Sequence, residues 1–140
     1  MDEGPILANV KLRITNDEMH SALRDRLAHA GAELLVKTIP DYIAGKIAPH
    51  EQDHSQATYT KLFTRDDGKV DLKNDTPHMI YNKFRAFEGW PGIWFIHRGK
   101  RVKVLSCRII DGILDVMGLQ PEGKRPMSLR DFVNGYGNLL

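Results

Sequence analysis

Apolar and polar residues alternate along LANVKLRI (residues 7–14), the period of two expected of one strand with a single covered face. The pattern then changes. Thr15 and Glu18 bracket Asn16-Asp17 in a Thr-x-x-Glu capping box. Met19, Leu23 and Leu27 follow at spacing four, which predicts an amphipathic helix to about Ala30. Gly31 is expected to break it. AELLVKTIPDYIAGK supplies a second helix with Leu35, Ile39 and Ile43 on one side; Pro40 kinks it or closes it a turn early, and Gly45 marks its end. IAPHEQDHSQATYT has no clear period and reads as a linker. In KLFTRDDGKVDL, Asp67-Gly68 predicts a turn between short strand-like pieces. Thr76-Pro77 opens another helix, with Ile80, Phe84 and Phe87 as its buried stripe and Trp90-Pro91-Gly92 as its stop.

The rest is β-rich. IWFIH and RVKVLSCRII are joined at Arg98-Gly99-Lys100, and Asp111-Gly112 turns the chain into ILDVMGLQ. Three antiparallel strands with short turns predict a small sheet or barrel. PEGKRPMS is a loop, and Ser128 caps a last helix, LRDFVNGY, with Leu129 and Phe132 inward.

Charge sharpens this picture. Residues 1–60 carry six basic and nine acidic residues, residues 61–140 fourteen and nine, so a mildly acidic front joins a basic back. Five cations (Arg98, Lys100, Arg101, Lys103 and Arg108) fall within eleven positions with no acid among them. In a strand, Arg101 and Lys103 face one way while Val102 and Val104 anchor the other. Lys124 and Arg125 can extend the same field, which suits phosphates more than bases. The competing reading is a sheet kept soluble by charge on its open face.

Composition sets bounds. With 41% apolar and 27% charged residues the chain is that of a soluble globular protein. No apolar run approaches the roughly 20 residues of a membrane helix. MDEGPIL carries acids where a signal peptide needs basic residues, so a cytoplasmic location is expected. Cys107, the only cysteine, fits a reducing compartment and reads as a small sheet residue.

Candidate chemistry is thin. His50-Glu51-Gln52-Asp53-His54 matches the H-E-x-x-H zinc motif, but Pro49 precedes it, no helical stripe surrounds it, and Thr60 stands where a third ligand would fall. The expectation is a solvated linker with no metal. No glycine-rich phosphate loop is present, and nothing in the spacing gathers the histidines and serines into a nucleophilic site.

Three further segments, AGAELLVKTIPDYIAGKI, SQATYTKLFTRDDGKVD and NKFRAFEGWPGIWF, together with RVKVL and LQPEGKRPMSLRDFVNGY, resemble methionyl-tRNA formyltransferase over nearly the whole chain. The resemblance implies an α+β chain divided in three. Residues 1–46 would be a strand-plus-helix remnant of a Rossmann-like catalytic domain and 47–62 a linker. Residues 63–140 would be a small OB-like β-barrel with flanking helices. Family members carry a longer segment where this chain has only DGILDVMG, so one hairpin is missing or replaced by the Asp111-Gly112 turn.

The resemblance also implies a division of labour. Asp2, in Asp2-Glu3-Gly4, would match the active-site aspartate, while its Asn and His partners and the folate-pocket motif have no counterpart. The family's formyl donor is 10-formyltetrahydrofolate, and this chain alone is expected to bind no cofactor and to be inactive. Its expected partner is initiator methionyl-tRNA, with no DNA and no membrane, and with a separate chain as the possible carrier of the missing half. The expected tRNA contacts are Arg85, Arg98, Lys100, Arg101, Lys103, Lys124 and Arg125, with Trp90 and Trp94 as core residues. Two rivals remain open: a protein–protein or dimerisation module built on residues 6–45, and the C-terminal part of a sugar-nucleotide formyltransferase.

Overall fold

The computed structural model describes residues 3–139. It divides into two compact units, Met1–Lys61 and Leu62–Leu140.

In the first unit α1 runs unbroken over His20–Ile43, with Pro40 in its last turn. The predicted break at Gly31 does not occur. Ala28, Ala30 and Ala32 flank it, and such strong helix formers outweigh the roughly 1 kcal/mol cost of one glycine. The end does fall as expected: Gly45 adopts φ +70° and the Lys46 N–H donates to the Asp41 carbonyl at 2.9 Å.

The beginning differs. Glu18 reaches back to the Thr15 N–H at 3.4 Å, but that turn is not continuous with the helix, which starts at His20 behind an N-cap at Met19. The strand expected over 7–14 is absent. Only Ile6 pairs, with His50, through two backbone bonds of 2.8 and 2.9 Å. Alternation alone cannot make a strand, because its N–H and C=O groups need a neighbouring ladder. The α1 stripe also lacks cover: Leu27, Leu35, Val36, Ile39, Tyr42 and Ile43 are all exposed.

The second unit is a four-stranded antiparallel sheet in the order β1 (Ile93–His97), β2 (Lys100–Ile110), β3 (Ile113–Pro121) and β4 (Met127–Ser128). Both long hairpins close through two-residue turns with φ > 0 at each position, Arg98-Gly99 and Asp111-Gly112, the mirror-image geometry that matches strand twist. Between Val104 and Cys107 the β2–β3 register slips and recovers, and Gly118 permits this. A Cβ there would stand 2.6 Å from the Ser106 hydroxyl.

Asp67-Gly68 does not turn a hairpin. Arg65–Gly68 is a 3-10 turn locked by a reciprocal Thr64–Asp67 capping box. The chain then meets β1: Lys69 bridges Trp94 in parallel, and the Val70 N–H donates to the Trp94 carbonyl at 2.9 Å.

α2 (Pro77–Ala86) begins as expected, with Thr76 accepting from the Met79 N–H. α3 (Leu129–Tyr136) is likewise capped, the Ser128 hydroxyl accepting from the Asp131 N–H. Both helices join the inner face of the sheet in one apolar cluster. Ile80 and Phe132 meet Ile93, Phe95, Val102, Val104, Val116 and Leu119 there.

Candidate nucleic-acid interface

Strand alternation sorts β2. Val102 and Val104 are buried in the core, while Arg101 and Lys103 face outward. Lys103 is register partner to Trp94, which puts the indole on the outer face with the cations. Trp94 is nevertheless 5% exposed. The Arg101 guanidinium lies 4.2 Å from the ring centroid, the Lys69 ammonium 6.0 Å, and the indole N–H donates to the Arg65 carbonyl at 2.9 Å. The ring's negative face attracts both cations. Trp94 is thus buried as predicted, though outside the central cluster and roofed by charge.

The β3–β4 connection closes on the same region. The Glu122 N–H donates to the Arg101 carbonyl at 2.9 Å, and the Gln120 amide donates to the Lys124 carbonyl at 3.0 Å. Arg101, Lys103, Gln120, Pro121, Glu122 and Gly123 line a shallow groove of about 210 Å³. Lys124 and Arg125, exposed, follow directly after the Glu122-Gly123 turn that lines it.

Not every expected contact gathers here. Lys100 has the parity of Val102 and so faces the other side, at the hairpin tip. Arg98 turns away as well: one guanidinium nitrogen lies 2.7 Å from where a Cβ on Gly137 would stand, at the end of α3. A cation there complements the helix C-terminus. Arg85 rises from α2, on the core side of the sheet, 5.6 Å from the Tyr81 ring and donating to Asn82 at 2.7 Å. Arg108 is neutralised by Asp115, its register partner, at 2.9 Å. Trp90, expected in the core, is 61% exposed. Asp2 lies outside the described residues. Lys69 and Arg65 were not foreseen at this face, because nothing in sequence places a turn beside β1.

The remaining chemistry is quiet. His50–His54 forms no helix: His50 pairs with Ile6 and a 3-10 turn spans His54–Gln56. The i, i+4 geometry of a zinc helix is therefore not made. Among the described residues no three His, Cys, Asp or Glu side chains are grouped to hold a metal. Asp53 instead caps its turn, and the Ser55 hydroxyl and N–H hold its carboxyl below the usual range. Burial pushes the Cys107 thiol up to about 12, so it is an inert sheet residue. No helix among the described residues is long and apolar enough to cross a membrane.

Comparison with known proteins adds the family context. The family described as formyl transferase, C-terminal domain, matches residues 63–115. Methionyl-tRNA formyltransferase of Roseiflexus sp. (strain RS-1) is 34% identical over 159 residues, covering 96% of this chain and 49% of the relative. The corresponding enzyme of Streptococcus mutans is 30% identical, covering the whole chain and 52% of the relative. The chain thus spans about half the length of the curated relatives it matches. Among solved structures, methionyl-tRNA formyltransferase from Clostridium thermocellum superposes with a TM-score of 0.59 at 16% identity, over 86% of this chain and 50% of that one. At that identity the likeness speaks for the fold alone.

Proposed function

From a chain that belongs to the methionyl-tRNA formyltransferase family as its C-terminal portion, we propose that residues 63–140 bind initiator methionyl-tRNA and carry no chemistry themselves. The observation that carries this is the outward pairing of Arg101 and Lys103 along a groove that Glu122 and Gly123 close, with exposed Lys124 and Arg125 next in the chain. A-form RNA hides its bases in a deep groove, so recognition runs through phosphates and riboses, which a cationic sheet face suits. Lys100 and Arg98 at the hairpin tip, and Arg85 on α2, lie off this face and add only their longer-range charge. Residues 1–46 are assigned to the end of the catalytic domain and 47–62 to a linker. Asp2 is the candidate active-site carboxylate and 10-formyltetrahydrofolate the family's formyl donor, which this chain alone is not expected to hold. A base must lie within hydrogen-bond reach of the proton it removes, so the chain by itself transfers no formyl group.

Binding of initiator tRNA across a salt series tests the interface. Affinity falls steeply with salt, and replacing Lys100, Arg101 and Lys103 by alanine flattens that dependence. An unchanged slope removes the assignment.

One observation favours a second reading. The uncovered α1 stripe, from Leu27 to Ile43, suits a protein–protein contact. A tight dimer in light scattering with no retention on tRNA would select it.

A further inference from the structure

We propose that Trp94 is the floor of a phosphate-binding site on the outer face of β1 and β2, with Lys69, Arg101 and Lys103 as its cationic walls. Its RNA arm rests on the reading above, and it adds two residues to it: Lys69 as a ligand and Trp94 as a positioning residue.

Two cations lie over one ring, and a third stands beside it on the neighbouring strand. Arg101 stacks at 4.2 Å and Lys69 stands at 6.0 Å, while Lys103 is the ring's register partner. Among the described residues none of the three forms an ion pair. The contrast lies on the same strand, where outward-facing Arg108 is matched by Asp115 at 2.9 Å. Like charges held together without a counterion repel, and an anion placed among them relieves that repulsion. Glu122 lines the adjoining groove, and it too makes no ion pair among the described residues.

Arg101 is also prepared for such a ligand. One face of its guanidinium lies against the indole, and its Nε is buried without a hydrogen-bond partner. That leaves the terminal nitrogens as donors, the pair that grips a phosphate bidentately. A stacked guanidinium has less rotamer freedom to lose on binding than a free lysine. Trp94 is fixed in turn by its N–H bond to the Arg65 carbonyl. Because Lys69 follows the Arg65–Gly68 turn, the site joins two stretches nearly thirty residues apart, which is why no sequence motif marks it.

The shared ligand chemistry is a phosphate group, from an RNA backbone or free in solution, and the experiment separates the two. In a Trp90→Phe background the remaining indole is Trp94. Titration with inorganic pyrophosphate at constant ionic strength is expected to change its emission saturably, and Lys69→Ala to weaken that response. In parallel, Lys69→Ala is expected to lower the salt slope of initiator-tRNA binding by about one unit. Trp94→Leu does the same, and Trp94→Phe restores the slope by keeping a ring under Arg101. A pyrophosphate response without a change of tRNA slope assigns the site to free phosphate. If wild-type protein ignores tRNA but answers pyrophosphate, the site stands and the tRNA reading falls. If tRNA binds, Lys69→Ala leaves its slope intact, and pyrophosphate has no effect, the tRNA reading survives and the site is overturned.

Discussion

On the outer face of β2, Arg101 and Lys103 stand two residues apart with the same charge, yet their substitution should give different results. Arg101 covers Trp94, whereas Lys103 is exposed. Arg101→Ala uncovers an indole that is otherwise buried, so it lowers the thermal midpoint as well as tRNA affinity. Lys103→Ala lowers affinity and leaves stability within about 0.5 kcal/mol. Arg101→Lys keeps the charge but loses the stacked plane, and falls between the two. Parallel melts and binding titrations of the three variants check this; equal melting of Arg101→Ala and wild type would remove the packing role. Asp71 gives a second residue-scale prediction. The Asn74 amide, the Lys73 N–H and the Asn74 N–H donate to its carboxylate and hold it below its ordinary 3.8. A depressed folded pKa stabilises above the ordinary value and loses that contribution as pH falls through the folded one. Asp71→Asn should therefore be less stable than wild type at neutral pH, with the gap closing below pH 3.8. Urea midpoints at several pH values measure it.

At the scale of elements, local chemistry marked ends better than continuity. Thr76-Pro77, Ser128, Arg98-Gly99 and Asp111-Gly112 act through their nearest neighbours, and each sits where the sequence puts it. Gly31 and LANVKLRI were misread because their outcome depends on context: flanking alanines carry a helix through a glycine, and a strand needs a partner that alternation cannot supply. The α1 result is testable. Nothing lies within 4 Å of a Cβ added at Gly31. Gly31→Ala should raise helix content and stabilise the first unit by about 0.5–1 kcal/mol, read by circular dichroism during urea unfolding. Destabilisation would mean the glycine has a role other than tolerated filler. Gly68 predicts the reverse. A Cβ there would stand 2.1 Å from the Gly92 carbonyl oxygen, a backbone atom that cannot swing aside. Gly68→Ala should cost about 1–3 kcal/mol through overpacking, and should also disturb Trp94 emission, since the displaced turn carries the Arg65 carbonyl.

For the whole molecule, the candidate interface was partly legible. Alternation put Arg101 and Lys103 on one face, but Lys100, Arg98 and Arg85 were grouped with them by proximity in sequence or by family likeness, and parity or packing draws them elsewhere. Alignments with relatives are also longer than this chain. The Roseiflexus alignment runs over 159 residues, at least 19 more than this chain can fill. The family match stops at Asp115, just past the tight Asp111-Gly112 turn, which is where the expected extra hairpin would enter. The Trp94 face is built by β1 and β2, which come before that turn. Binding and catalysis are therefore expected to separate. With 10-formyltetrahydrofolate and charged initiator tRNA, the 140-residue chain should retain the tRNA in dilute salt and form no formyl-methionyl product above a protein-free control. The expectation follows from reach: phosphate contacts need only a cationic face, whereas formyl transfer needs a folate pocket and a base aligned on the attacking amine. Measurable product from the chain alone would place a complete reaction centre within it and overturn that division.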